Sequence, residues 1–266
     1  MTLTIILVVY KSDKNKLRDI LKKIDNKYNI IIVDNSYNYN FENFKLSKKT
    51  RIIRSHNNGN GGGINTALKQ CKTKNAMYTD LDVKFNKNLI QRLINFSRKI
   101  KKFSVLVPND GNFKRNNKII KYYIGKASVM FFNLKNLRKI NFFDENFFLD
   151  YEEIDLLFRC KKRNFPAYLI PSLEIRHERT TATRNTKKIK NLRSWHYMWS
   201  MFYFYKKNYN FFTAINKTFK FLIKDFLMLM FFIISFNFKK SSIRFYRLYG
   251  LISSILGLKS FLREEN

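Results

Sequence analysis

A chain of 266 residues with hydrophobic residues at 45% can bury a sizeable core and suffices for one large domain, or one domain plus an appendage. Lysine and arginine number 52 against 19 acids, a formal net charge of +33, and 17% of residues are aromatic. This admits nucleic acid or an anionic membrane surface as a partner, but part of the bias is compositional and the charge by itself assigns no function. Two distant cysteines, Cys71 and Cys160, without clustered Cys or His companions, exclude a zinc module and a disulfide framework and fit a reducing compartment.

The chain opens on an unbroken β-rich apolar run, residues 3–9, expected of a strand buried on both faces. The run is too short and too β-branched, and lacks the basic leader, for a signal peptide. Asp13 is placed to cap a helix over 14–25, where Leu17, Ile20, Leu21 and Ile24 recur at helical spacing. Ile30-Ile31-Ile32-Val33, ending in Asp34-Asn35-Ser36, and Arg51-Ile52-Ile53-Arg54 read as the next strands. Strand, helix, strand, loop, strand opens a parallel α/β sheet, and such sheets bind ligands beyond the carboxyl ends of their strands, here near Tyr10 and Asp34.

The segment Asn57 to Asn65 then spends four of the chain's eight glycines in five positions. Glycine lets the backbone approach a ligand closely, and a helix starting over 64–72 would turn an anion-favouring N-terminus toward it; a flexible surface turn is the competing reading. From Lys74 a strand runs through Ala76 and Met77 into Tyr78-Thr79-Asp80-Leu81-Asp82-Val83. Carboxylates at i and i+2 of a strand end share a side and can converge on one hard cation, magnesium or manganese, of the kind held by one or two carboxylates plus substrate phosphates. The alternative is a solvated or helix-capping pair. A helix follows over about 87–100.

Residues 104–107 and 119–133 read as further strands, the second interrupted near Gly125. The aromatic block from Phe142 to Arg159 then gathers six of the 19 acids: Asp144, Glu145, Asp150, Glu152, Glu153 and Asp155. Part of this cluster has a structural account. Glu152, Glu153 and Asp155 open a helix over about 151–163, where carboxylates complement the macrodipole, and Asp155 can pair with Arg159 at i,i+4. Beyond Pro171 stands His177, one of three histidines, either a ligand or a polar surface residue.

These pieces, in this order over residues 3 to 183, resemble the inverting family 2 glycosyltransferases, in particular the rhamnosyltransferase-like branch. The resemblance rests on Val8-Val9-Tyr10, Val33-Asp34-Asn35-Ser36, the Asn57-x-Gly59-x-x-x-Gly63-x-Asn65 loop and Asp80-x-Asp82-Val83. It continues through Phe143-Asp144-Glu145-x-Phe147-Phe148, Tyr151-Glu152-Glu153-x-Asp155-Leu156 with Arg159, and Pro171 before His177. It implies an α/β chain of the GT-A nucleotide-diphospho-sugar fold, a mostly parallel sheet flanked by helices. Tyr10 and Asp34 would line the base and ribose pocket, with Asn57, Gly63, Asn65 and Asp80 at the donor. Asp80 and Asp82, with His177, would hold Mg2+ or Mn2+ on the diphosphate. Glu153 falls where the family has the Asp of a Glu-Asp pair, its general base; here the pair reads Glu-Glu, so Glu152 competes for the role. The expected reaction moves a sugar, with rhamnose suggested by the branch, from a nucleotide-diphospho-sugar to a saccharide or lipid-linked acceptor with inversion, in cell-surface polysaccharide or lipopolysaccharide synthesis. The competing readings are a basic nucleic-acid-binding protein and a non-catalytic membrane-surface protein. No nucleic-acid-reading element is recognisable, so no nucleic acid is expected as partner.

Beyond 183 the composition changes. Residues 184–266 carry 16 lysines and arginines against 3 acids, interleaved with aromatics from Trp195 to Phe212. The longest uncharged apolar stretch, Phe226 to Phe238, has 13 residues, short of the ~20 that a spanning helix needs. The expectation is therefore a catalytic domain over 1–183 and, over 184–266, a helical appendage. That appendage either lies on an anionic leaflet or packs as a helical hairpin. The corresponding location is the cytoplasmic, inner face of a cell membrane, with a homodimer left open.

Overall fold

The computed structural model describes residues 3–178 and 186–263, in two compact units. One holds the chain up to Asp144 and resumes at Glu153; the other holds Glu145–Glu152 together with the helices that begin after residue 186. The expected boundary near 183 lies outside the described residues. The second unit thus also takes eight residues from the middle of the chain, because Phe147 and Phe148 are buried among its helices.

The first unit is an eight-stranded sheet of order β3-β2-β1-β4-β8-β6-β9-β7. Its strands are β1 (Leu3–Val9), β2 (Asn29–Asp34), β3 (Thr50–Arg54), β4 (Asn75–Thr79), β6 (Val105–Asn109), β7 (Ile120–Lys121), β8 (Val129–Asn133) and β9 (Ala167–Glu174); β5 (Val83–Lys84) pairs outside it with β10 (Arg176–His177). Strand β1 shows why the apolar run is continuous. Leu3, Ile5, Leu7 and Val9 join the core on one face and Ile6 that on the other, as period-2 alternation between two covered faces requires. Helices α1 (Lys14–Leu21) and α3 (Leu89–Lys99) cover the first face; α2 (Gly59–Gln70), α4 (Leu134–Lys139) and α5 (Glu152–Lys162) cover the second.

Parallel pairing holds for β1 with β2 and β4, β2 with β3, and β6 with β9, while β8 runs antiparallel between β4 and β6. The strand expected over 119–133 divides into β7 and β8. Gly125, at φ 157°, turns the chain between them where an added Cβ would lie 1.9 Å from the Tyr122 hydroxyl. Asp13 caps α1 by accepting from the Asn15 amide at 2.7 Å. That helix ends at Leu21 rather than 25, because Lys23 and Ile24 already bond three residues back, to Ile20 and Leu21.

The second unit is built on α6 (Lys187–Asn208), α7 (Phe211–Ile234) and α8 (Phe238–Ile255), capped by Thr186, Asn210 and Asn237. Trp195, Met198 and Phe202 of α6 are buried, as are Phe147 and Phe148; Phe148 lies 4.7 Å from the His196 ring, and the Ser200 hydroxyl donates to the Leu149 carbonyl at 2.9 Å. Asp225 of α7, 1% exposed, accepts from Arg244 and Arg247 of α8 at 2.6 Å each. Among the described residues no helix is long and apolar enough to cross a membrane.

Candidate active site

At the carboxyl end of β4 the chain turns out of the sheet and the two acids follow at once. Asp80, fixed by its amide donating to the Ser128 carbonyl at 2.8 Å, precedes the buried Leu81, and Asp82 is 5% exposed. The third member comes from far along the chain. The antiparallel ladder of β5 with β10 sets His177 opposite Val83, and its Nε2 lies 3.0 Å from Asp82 Oδ1 and 3.8 Å from Asp80 Oδ2. One ligand atom from each of Asp80, Asp82 and His177 fits within 4.8 Å of the others. The two carboxylates are hard oxygen donors that suit manganese or magnesium, and the imidazole favours the softer manganese of the two.

Electrostatics point the same way. Burial pushes the Asp80 carboxyl up to about 6; the Tyr78 hydrogen bond and His177 pull it down, and the neighbouring Asp82 charge adds to the rise. Two carboxylates held together in a partly dry place relieve their repulsion by taking a proton or a cation. The Tyr78 hydroxyl donates to Asp80 and stands 2.9 Å from Asn60 Oδ1, which ties the acid pair to the first turn of α2. Behind His177 the chain is strapped by the Glu178 amide, bonded to the Asp82 carbonyl at 2.9 Å. Lys84 at 2.5 Å and Lys16 at 3.0 Å also hold the Glu178 carboxylate and bring it down to about 2.

The glycine segment is not a loop. Gly59, at φ 80°, starts α2, and Gly61, Gly62 and Gly63 form its buried first turns. A Cβ on Gly63 would meet Asn35 Nδ2 at 2.8 Å and Val8 Cγ1 at 2.9 Å, so glycine here lets the helix seat against the ends of β1 and β2. Asn35 completes that junction by donating to the Gly59 carbonyl at 2.9 Å, and Asn57 accepts from the Gly59 amide at 3.1 Å. Asp34 and Asn65 are more deeply engaged in the fold than donor-pocket residues need to be. Asp34 is fully buried and accepts from the Ser36 amide, the Ser36 hydroxyl and the Tyr39 amide at 2.7–2.9 Å. Asn65 grips both backbone groups of Phe143, at 2.9 and 3.0 Å. Tyr10 is half-buried at the end of β1, its amide donating to Ser12 at 3.0 Å.

Among the acids of the central block the structure separates roles. Asp155 is fully buried and paired with Arg159 Nε at 2.7 Å; that guanidinium also donates to the carbonyls of Ile140 and Phe142, and the trio closes the chain leading into the block. Glu152 and Glu153 open α5, the first buried and the second half-buried, directly after two left-handed residues, Asp150 at φ 61° and Tyr151 at φ 71°. Burial holds the Tyr122 phenol up at about 12, with smaller contributions from the charges of Asp110 and then Glu153.

Sequence reasoning assigned nothing to Tyr78, Asn60 or Glu178. For Tyr78 the signal was present, since positions 78 and 80 share a side by the same alternation that pairs the two acids. Asn60 and Glu178 act through neighbours that only the fold supplies.

The fold and the family of this chain are shared with known proteins. The sequence model of "Glycosyl transferase family 2" matches residues 4–161, and the chain belongs to that family. Its fold is GT-A, a mostly parallel central sheet flanked by helices with further helices at the C-terminal end. A curated relative, the low-salt glycan biosynthesis hexosyltransferase Agl10 of Haloferax volcanii, is 22% identical over 193 residues, 61% of this chain and 62% of the relative's length. The mannosyltransferase PcManGT of Pyrobaculum calidifontis, solved with GDP-Man and Mn2+, is 11% identical with a TM-score of 0.56 over 96% of this chain and 87% of its own. GalNAc-T7, solved with UDP, GalNAc and Mn2+, is 11% identical with a TM-score of 0.58, matching 70% of this chain but only 44% of its own.

Proposed function

We propose that this protein transfers a hexose, with inversion, from a nucleotide-diphospho-sugar to a hydroxyl of a saccharide or lipid-linked saccharide, in a divalent-cation-dependent reaction. The observation that carries the reading is the convergence of Asp80, Asp82 and His177 at the carboxyl end of β4. The GDP-Man and Mn2+ bound by the Pyrobaculum mannosyltransferase, the UDP, GalNAc and Mn2+ bound by GalNAc-T7, and the hexosyltransferase name of the Haloferax relative support the substrate class.

Bound there, a divalent cation would neutralise charge growing on the departing diphosphate, where preorganised electrostatics contributes most. Asp80, Asp82 and His177 would hold it, and Tyr78 and the Glu178 strap keep those three groups in place. Tyr10, at the end of β1, and Asn57 and Gly63, at the start of α2, would line the donor side of the site, while Asp34 and Asn65, held by Ser36, Tyr39 and Phe143, would support it from within the fold. Glu153 takes the proton of the attacking hydroxyl; Glu152, one residue earlier and more deeply buried, is its rival. A single displacement inverts the anomeric centre. Rhamnose on a thymidine diphosphate is the first donor to try, since the branch that the motifs resemble suggests it, and cell-surface glycan synthesis is the corresponding setting.

Thermal protection by a panel of nucleotide sugars, with and without Mn2+, tests this reading. Protection should need the cation and vanish in Asp82→Ala. Protection by oligonucleotides instead, unaffected by cation or by Asp82→Ala, would favour a nucleic-acid-binding protein and overturn it.

A further inference from the structure

Helices α7 and α8 each bury one face and leave a second apolar face bare. On α7, Phe212, Phe219, Ile223, Phe226, Met230 and Ile234 are all exposed and recur at helical intervals, so they form one stripe along the helix. On α8, Phe238, Phe245, Tyr249 and Ile252 do the same, and Leu256 at its C-terminal cap continues the stripe. Between the helices, Phe236 is 79% exposed in a left-handed conformation, φ 53°, beside Ile234 at 73% and Phe238 at 66%. A turn of bare aromatic and aliphatic groups between two bare stripes exceeds what scattered surface apolar residues explain.

Charge says what covers it. Residues 186–263 contain one acid, Asp225, against 15 lysines and arginines, and Asp225 is buried between Arg244 and Arg247. This stretch therefore presents cations and no carboxylate to solvent. By helical periodicity Lys217, Lys220 and Lys224 run along one flank of the α7 stripe, and Lys239 and Lys240 follow the turn. A second copy of the same surface would set cations against cations. Nucleic acid would find rings to stack on, but the exposed aliphatic groups among them, Ile223, Met230, Ile234, Ile252 and Leu256, give neither its bases nor its phosphates a partner. A surface with an apolar interior and anionic headgroups satisfies both halves of the pattern.

We propose that the α7–α8 hairpin docks on an anionic lipid bilayer, its turn and exposed apolar positions reaching the acyl boundary while the lysines engage headgroup phosphates. It lies on the surface rather than spanning it, in keeping with the length and apolarity of the helices. The inference is independent of the transferase reading, because none of its residues belongs to the Asp80–Asp82–His177 site.

Co-sedimentation of the full chain with vesicles tests it. Vesicles of phosphatidylglycerol and phosphatidylcholine in equal parts should carry the protein down, phosphatidylcholine alone should do so weakly, and high salt should release it. Phe226→Ser with Phe236→Ser, both at exposed positions, should lower partitioning by about tenfold or more while Mn2+ binding and the circular dichroism spectrum stay unchanged. Lys239→Glu with Lys240→Glu should weaken binding to the anionic vesicles only. Asp82→Ala should bind vesicles like the parent, so failure of the transferase reading leaves this result interpretable. Equal partitioning of the parent and the double serine variant overturns the proposal. So does a solution dimer that the serine variant dissociates with no vesicle binding, which would assign the face to a second copy. Binding to oligonucleotides in preference to vesicles, unaltered by the serine changes, overturns it as well.

Discussion

Asp80 sits where proton and cation compete. Its carboxyl is raised from the ordinary 3.8 to about 6, chiefly by burial. A raised acid contributes stability that is complete below its unfolded value and is lost as pH climbs through the folded one, so the cation-free site favours the protonated form up to about pH 6. A cation needs the carboxylate, and His177 must be neutral to ligate, which acts in the same direction. Apparent Mn2+ affinity, followed by calorimetry from pH 5 to 7.5, should therefore fall by about tenfold per unit or more below pH 6 and flatten as pH rises above it. A flat profile would remove Asp80 from the ligand set. For the base, Glu153→Gln should lower turnover by about 10² to 10⁴ with donor binding preserved, whereas that loss in Glu152→Gln alone would transfer the role. The acid pair was legible from two-residue spacing. The arrival of His177 was not, because 95 residues separate it from Asp82 and a two-residue ladder delivers it. The motif order alone singled it out. Asp155 was legible through its i,i+4 spacing to Arg159, and the structure adds the two carbonyls that the guanidinium also holds.

At the level of elements, alternation and capping gave the strands and α1, whereas two features depended on neighbours outside the local sequence. Four glycines in five positions look like a turn because isolated glycine favours the coil. They are helical in α2, and at Gly63 glycine is needed because Val8 and Asn35 leave no room for a side chain where the helix seats. Strand β8 looks like the continuation of β7, yet it pairs antiparallel inside an otherwise parallel region, a placement that no property of residues 129–133 encodes. Gly250 is the counterpart in the helices. A Cβ there would lie 2.1 Å from the Trp195 carbonyl oxygen, and since backbone cannot rotate out of the way as a side chain can, α6 and α8 would have to separate. Gly250→Ala should cost about 1–3 kcal/mol or more and lower the thermal midpoint by several degrees, as differential scanning calorimetry would show.

For the molecule as a whole, the change in composition after residue 183 predicts a separate appendage rich in cations and aromatics, and the second compact unit holds the helices from α6 onward. Composition did not disclose that Glu145–Glu152 belongs to that unit, because an acidic, aromatic segment running into α5 reads as one continuous block. The burial of Phe147 and Phe148, the Ser200 bond to Leu149 and the packing of Tyr151 against Tyr197 and Phe204 reveal the allegiance. Inheritance is where this matters. Modules at a chain end are ordinarily gained, lost and exchanged by recombination at a single seam. Here one such cut would leave Phe147 and Phe148 without the helices that enclose them, immediately before the candidate bases. Descendants of this chain would then have to carry residues 145–152 and the C-terminal helices as one heritable unit, and a relative with a different set of helices should differ in those eight residues as well.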